Sequence, residues 1–239
     1  MSFTPKTILS MPRVATIATM PSRLDGFEKV LNSIFPQVDR IFIYLDNFMA
    51  IPAFLNGHSK INVFRAEETG NFHASSRFLT LTHLKEPCVL FSFDDDIIYP
   101  SDYVKTLVTV LAEVRGRMVV GVHGRTFLPP HLSYVQNATF YHFEAELRQF
   151  LHVHELGTGT CAFISSLFDF NVAQWPYNGM DDIQFAIEAQ KRSIPRLAIT
   201  RPAGWLKRYG QEQPDSLWRK TKADQFVQAK LMSLLLKLY

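Results

Sequence analysis

The sequence predicts an α/β fold: a mostly parallel sheet with helices on both faces and a smaller mixed β extension. Short apolar, β-branched runs alternate with helical patterns through the first half of the chain, the pattern of a parallel sheet covered on both sides. The second half is less regular, with several strand-like runs around one clear helix. The composition supports one packed domain: 239 residues, 47% hydrophobic, with 20 phenylalanines for an aromatic-rich core.

Val14 to Met20 is short, apolar and β-branched, hence a strand. Leu24, Phe27, Leu31, Ile34 and Phe35 then fall at helical spacing, and Pro36 ends that helix. Asp39 to Asp46 and Ile61 to Phe64 are the second and third strands. Phe72, Phe78, Leu79 and Leu81 predict a helix from about 72 to 84. Cys88 to Phe93 is a fourth strand, with Pro87 before it and acids after. Pro100 opens a helix with Tyr103, Val104, Leu107, Val108, Leu111 and Val114 on one face; proline suits a first turn, where its missing N–H has no partner. Met118 to Phe127, Thr139 to Phe143 and His154 to Ile164 are strand-like. Asp181 to Gln190 is helical, with Ile183, Ala186 and Ile187 inward, and Leu197 to Thr200 is a last short strand. Ala223 to Tyr239 is an amphipathic helix carrying Val227, Leu231, Leu234, Leu235 and Leu238 on one side.

A net charge of +3 is too mild to argue for a nucleic-acid binder. No apolar run has the length of a membrane span or a signal peptide. Two cysteines, Cys88 and Cys161, exclude a disulfide framework and make a reducing cytoplasm the expected location.

Ligands of parallel sheets sit at the carboxyl ends of the strands. There the chain places Arg23, Asp46 and the triplet Asp94-Asp95-Asp96. Three successive carboxylates repel one another, and a divalent cation neutralises them; Mn²⁺ and Mg²⁺ take oxygen ligands. Asp-x-Asp puts two side chains on one side of an extended segment, one for the metal and one for a ribose hydroxyl. The alternative is an acid cluster favoured by the dipole of the following helix, though three acids exceed what capping needs. Arg23 can contact a nucleotide base or phosphate, Arg77 a diphosphate, and Asp46 a uracil edge or ribose. Each also suits an ordinary structural role.

With those residues and four further blocks, the chain resembles a GT-A glycosyltransferase. FDDDIIYPSDYV (93–104), VGVHG (120–124), LGTGT (156–160), the Asp182 helix and GWLK (204–207) occur in the same order as in the α-N-acetylglucosaminyltransferases of heparosan capsule synthesis. The resemblance spans about residues 14 to 210. It implies a Rossmann-like sheet with a nucleotide-binding half at about 12–115, a half for donor sugar and acceptor at about 116–215, and a tail at 216–239. It implies that Asp94 contacts the ribose, Asp96 the metal, and Asp95 supports either, with Asp94 a second metal ligand; Arg23 lies near the nucleotide. Gly157-Thr158-Gly159-Thr160 would line the donor-sugar pocket, with glycine giving close backbone approach and threonine hydroxyls meeting sugar hydroxyls. Asp182 would sit near the acceptor hydroxyl, Lys207 would bind the leaving diphosphate, and Trp205 would pack on the acceptor or the sheet. The implied activity is metal-dependent transfer of N-acetylglucosamine from a UDP-sugar to a saccharide acceptor, with retention, in capsule or other surface polysaccharide synthesis.

The chain departs from the pattern in two places. No histidine follows His154 to serve as a third metal ligand, and Asn71 stands where a cation is expected. His152 and His154 form a His-x-His pair that on a strand is better read as one exposed and one packed side chain, and His123 is a further candidate for sugar or acceptor contact. A sugar nucleotidyltransferase would want a glycine-rich loop where this chain has TMPSRLDG. A non-catalytic carbohydrate-binding or scaffolding subunit would not need the acids. The basic tail, with Lys220, Lys222, Lys230 and Lys237, suits docking on a partner synthase, peripheral attachment to the inner membrane face, or packing on the domain.

Overall fold

The structure is a computed structural model that describes residues 3–131, 133–210 and 225–239. After α1 (Pro5–Ser10) come β1 (Arg13–Thr19), α2 (Leu24–Ile34), β2 (Arg40–Leu45) and β3 (Ile61–Arg65). A short α3 (Ala66–Thr69), a 3₁₀ segment (His73–Leu79) and α4 (Thr80–His83) lead to β4 (Val89–Phe93), β5 (Ile97–Ile98) and α5 (Tyr103–Glu113). Five strands follow: β6 (Val119–Gly121), β7 (Gly124–Phe127), β8 (Ala138–Tyr141), β9 (Leu151–His152) and β10 (Glu155–Leu156). The chain then runs through β11 (Thr160–Ile164), α6 (Asp181–Lys191), β12 (Arg196–Ala198), β13 (Lys207–Arg208) and α7 (Phe226–Lys237).

The main sheet has eight strands in the order β3-β2-β1-β4-β11-β6-β12-β9. β3, β2, β1 and β4 are parallel, as are β6 and β12. β11 runs antiparallel between β4 and β6, and β9 antiparallel on β12. The fold is thus mixed α/β, with helices on both faces. Alternation along β1 shows why: Ala15 and Ile17 enter the core under α1, α2 and α5, while Val14 and Ala18 enter the core with Phe78 and Phe185. A three-stranded sheet, β10-β7-β8, and the pair β13-β5 form the mixed extension.

Several elements differ from expectation for identifiable reasons. The predicted helix at 72–84 is a 3₁₀ segment followed by one turn of α-helix. Ser75, Ser76 and Arg77 are buried there, and the Thr16 hydroxyl takes the Arg77 carbonyl at 2.7 Å, so a tighter coil laid on the sheet replaces a regular helix. Pro100 precedes α5 rather than opening it: its carbonyl accepts from Tyr103 N–H, the first residue of the helix. The strand expected at 118–127 breaks at Val122-His123, where Val122 N–H donates to Thr160 O and His123 N–H to Thr160 Oγ1. The chain leaves the large sheet at Gly121 and enters the small one at Gly124. The run 154–164 likewise splits into β10 and β11 around the glycine loop.

Of the stripe expected on α7, Leu231 and Leu235 are buried, Val227 is half-buried, and Leu234 and Leu238 are exposed; Gln228 and Met232 complete the buried face. Leu231, Met232 and Leu235 join Ile183, Ala186 and Ile187 of α6 in a third core cluster. Lys220 and Lys222 lie outside the described residues. Among the described residues no helix is long and apolar enough to cross a membrane. Cys88 and Cys161 are free and buried.

Candidate active site

Strand order makes the cleft. β2 and β3 lie on one side of β1 and β4 on the other, so the connections diverge and leave a crevice at the carboxyl ends of β1 and β4. A cleft of about 560 Å³ opens there. Its floor comes from Thr19 and Met20 after β1, Asp46 after β2 and Asp94 to Asp96 after β4.

Asp94 is held by two hydrogen bonds. Its backbone N–H donates to the Tyr99 hydroxyl at 2.9 Å, and that hydroxyl donates to Gly159 O at 2.5 Å. Its Oδ1 accepts from Arg77 Nη1 at 2.9 Å. Gly159 is demanded by this packing: a Cβ there would lie 1.8 Å from Asp94 Cγ. The register explains the meeting, since antiparallel β11 sets Thr160 opposite Phe93 and so brings the loop before β11 against the loop after β4. Burial pushes Asp95 up to about 7; the Thr19 hydroxyl opposes the rise and the Asp96 and Asp94 charges add to it. Asp96 is also raised, by burial and then by Asp94, against the pull of Arg23 and Arg208.

Arg23 ends the 3₁₀ turn after β1 and lines the cleft near these acids. Asp46 is 6% exposed, and its Oδ2 pairs with His73 Nδ1 at 2.8 Å. Arg77 is 4% exposed, and its guanidinium faces protein: Nε donates to Ala74 O at 2.8 Å and Nη1 to Phe93 O at 3.1 Å as well as to Asp94.

Across the cleft, α6 begins with Asp181 and Asp182. Thr158 joins them. Its N–H donates to Asp182 Oδ1 at 2.7 Å, and its hydroxyl lies 2.7 Å from both Asp181 Oδ2 and Asp182 Oδ1. One hydroxyl proton serves one acceptor at a time, so the second short contact calls for a proton on an acid. Burial pushes Asp182 up to about 7, with the Asp181 and Glu155 charges adding to it, in line with a proton on Asp182. Thr160 is engaged internally, its hydroxyl accepting from His123 N–H and donating to Gly157 O at 3.2 Å. Gly157 N–H donates to His123 O at 2.9 Å, and a Cβ on Gly157 would crowd the His123 ring at 2.9 Å. The glycine loop therefore meets the cleft with backbone, while its hydroxyls serve α6 and the sheet edge.

Lys207 is exposed and does not line the cleft; Arg208, one residue on, does, because side chains alternate along β13. Trp205 packs beside Tyr103 and donates from Nε1 to Asp102 at 3.0 Å. His152 is exposed, while His154 accepts from Phe127 N–H and stacks on Phe127. Asn71 accepts from His73 N–H, away from the cleft. His123 does line the cleft, and burial lowers it to about 3, so it is a neutral ring at physiological pH.

The wall beyond the glycine loop was not singled out from sequence: Arg125, Tyr134, Phe140, His142 and Phe143 line it. Beneath it, Arg125 Nε pairs with Glu155 Oε1 at 2.8 Å, and the Tyr134 hydroxyl donates to the same carboxylate at 2.9 Å. The available signal was an arginine and a glutamate on short strands among aromatics, which periodicity alone ranks as surface.

Carboxylates raised by burial and mutual repulsion are a donor set that a divalent cation relieves. Among the described residues no three His, Cys, Asp or Glu side chains form a ready cage. The residues therefore fit Mn²⁺ or Mg²⁺ held by one or two aspartates and completed by phosphate oxygens.

No protein-family model and no curated protein matches the chain. Solved structures do. Glucosyl-3-phosphoglycerate synthase from Mycobacterium tuberculosis, with Mn²⁺, UDP-glucose and phosphoglyceric acid, is similar at a TM-score of 0.44 and 15% identity over 69% of this chain. The same enzyme with Mn²⁺, UDP and phosphoglyceric acid gives 0.44 and 12% over 70%. This chain spans 62% of each of those chains, under two thirds of their length. A likeness of that degree fixes neither substrate nor chemistry for this protein.

Proposed function

We propose that the protein transfers a sugar from a nucleoside diphosphate donor, a UDP-sugar, to an acceptor hydroxyl, with a divalent cation. The observation that carries this reading is the pairing of two acidic centres across one switch-point cleft: Asp94 to Asp96 at the end of β4, and Asp181-Asp182 at the start of α6. The first suits a metal–diphosphate, the second an acceptor hydroxyl. The ordered sequence blocks support the narrower proposal of N-acetylglucosamine as donor sugar, a saccharide acceptor, retention of configuration, and a place in surface polysaccharide synthesis.

Asp96 and Asp94 would hold the cation, whose contribution when bound would be Lewis-acid neutralisation of charge on a departing diphosphate. Asp95 and Asp46 flank the nucleoside side, and Asp46 offers a buried carboxylate oxygen, Oδ1, with no hydrogen-bond partner among the described residues. Arg23 and Arg208 add fixed positive charge at the rim. The backbone of Gly157 to Thr160 leaves room for the donor ring. Asp182 orients the acceptor hydroxyl and, with Asp181 and Thr158, can hold its proton. The closed hydrogen-bonding of Tyr99, Asp94 and Gly159 keeps the two loops in register while ligands exchange.

The test is release of UDP from a panel of UDP-sugars with Mn²⁺ and saccharide acceptors. Asp96→Ala should remove metal-dependent turnover while leaving the unfolding midpoint unchanged or higher, because one of three repelling charges is gone. Near-normal turnover in that variant would refute the role.

A further inference from the structure

We propose that Arg77 is a positioning residue that couples the carboxylate at the end of β4 to the acidic start of α6, so that cation affinity on one side of the cleft depends on charge on the other. This deepens the proposed transfer and rests on it for the identity of the cation site.

Arg77 is 4% exposed, and its guanidinium is anchored to two elements through the carbonyls of Ala74 and Phe93. From that fixed position Nη1 binds Asp94 Oδ1 at 2.9 Å, while Nη2 lies 3.9 Å from Asp181 Oδ2. Burial works against the charge, yet Asp94, Asp181 and Asp182 outweigh it and keep the group protonated. One positive charge is thus shared by two carboxylates that face different ligands. In a site poorly screened by water, neutralising either partner leaves more of that charge for the other. A cation on Asp94 competes with Arg77 there and turns its attraction toward Asp181. From Asp181 the path continues through the Thr158 hydroxyl to Asp182, at 2.7 Å per step. Conversely, neutral Asp181 leaves Arg77 wholly to Asp94 and weakens the hold on the cation. Such linkage is reciprocal by necessity. Arg77 lines the cleft, and its bonds to the Ala74 and Phe93 carbonyls hold it in that position.

Calorimetric titration of the whole protein with Mn²⁺ alone tests the coupling without turnover. Asp181→Asn touches no proposed cation ligand, and it should lower Mn²⁺ affinity about fivefold. Asp181→Glu should restore it, and Asp181→Asn should have no effect in an Arg77→Gln background. Unchanged affinity in Asp181→Asn, with binding lost in Asp94→Asn, would overturn the proposal. Arg77 variants can fail to fold, so a second arm uses metal-free urea unfolding of Asp94→Asn, Asp181→Asn and the double variant. The double should lose more than the sum of the singles, since only it leaves a buried arginine with neither partner. Strict additivity would refute the coupling even if the wild type binds no Mn²⁺, an outcome that would sink the transfer proposal separately.

Discussion

Asp182→Asn should stabilise the protein at pH 8 while it removes activity. The carboxyl sits at about 7, above an ordinary value of 3.8, because of burial, then Asp181 and Glu155. Between those two values the folded chain keeps a proton that the unfolded chain has released. Stability therefore falls as pH rises through this window, and the whole penalty is present above the folded value. At about 1.4 kcal/mol per decade the ceiling is roughly 4 kcal/mol; because Asp182 is coupled to the charge beside it, about 2 kcal/mol is the expected gain. The asparagine keeps an Oδ1 for the Thr158 N–H, so the replacement does not orphan that donor. In a domain of this size about 2 kcal/mol corresponds to a rise of roughly 4–8 °C in Tm. Thermal unfolding of wild type and variant at pH 5 and pH 8 measures it: a clear gain at pH 8 that shrinks to under about half at pH 5 and vanishes only below the ordinary value of 3.8. An equal difference at both pH values, or a lower Tm for the variant at pH 8, would refute the account of why this acid is raised.

Gly159→Ala should displace Asp94, since the new Cβ would lie 1.8 Å from its Cγ, and cut Mn²⁺ affinity by about tenfold or more with a stability loss of ~1–3 kcal/mol, read by titration and urea unfolding. Tyr99→Phe leaves the Asp94 N–H and Gly159 O without their shared partner, and denaturant unfolding should show a loss of ~1–3 kcal/mol. Arg208→Ala should raise the KM for a UDP-sugar by about tenfold, as loss of one charge-assisted contact does, whereas Lys207→Ala stays near wild type in the same steady-state assay.

Strands β1 to β4 were legible because each is a short apolar run cut off by turn residues, and the place of the aspartate triplet in the cleft because it follows an apolar strand directly. Helix α2 was legible from its spacing, which Phe27, Leu31 and Ile34 confirm by burial. The 3₁₀ segment at 73–79 was hidden because its distortion comes from a distant hydroxyl, Thr16, and from a buried arginine that sequence reads as solvated. The break at Val122-His123 depends on Thr160, a partner no local pattern reveals. Arg208 rather than Lys207 reaches the cleft because a two-residue strand sets the facing, too short for periodicity to show. The burial of α7 turned on Gln228, which lines the cleft and interrupts the apolar stripe that spacing favoured.

The crossing of β6 and β11 carries one more implication. Val122 and Thr160 bond side by side, and so do His123 and Gly157, so residues 124–156 begin and end at one point of the large sheet, which they meet again where β9 pairs with β12. That stretch is a cassette: its two ends are neighbours, and it brings with it Arg125, Tyr134, Phe140, His142 and Phe143. Swapping it between related chains would exchange the aromatic wall and edge strand β9 together, while Asp46 and the aspartates after β4 stay where the parallel strands put them.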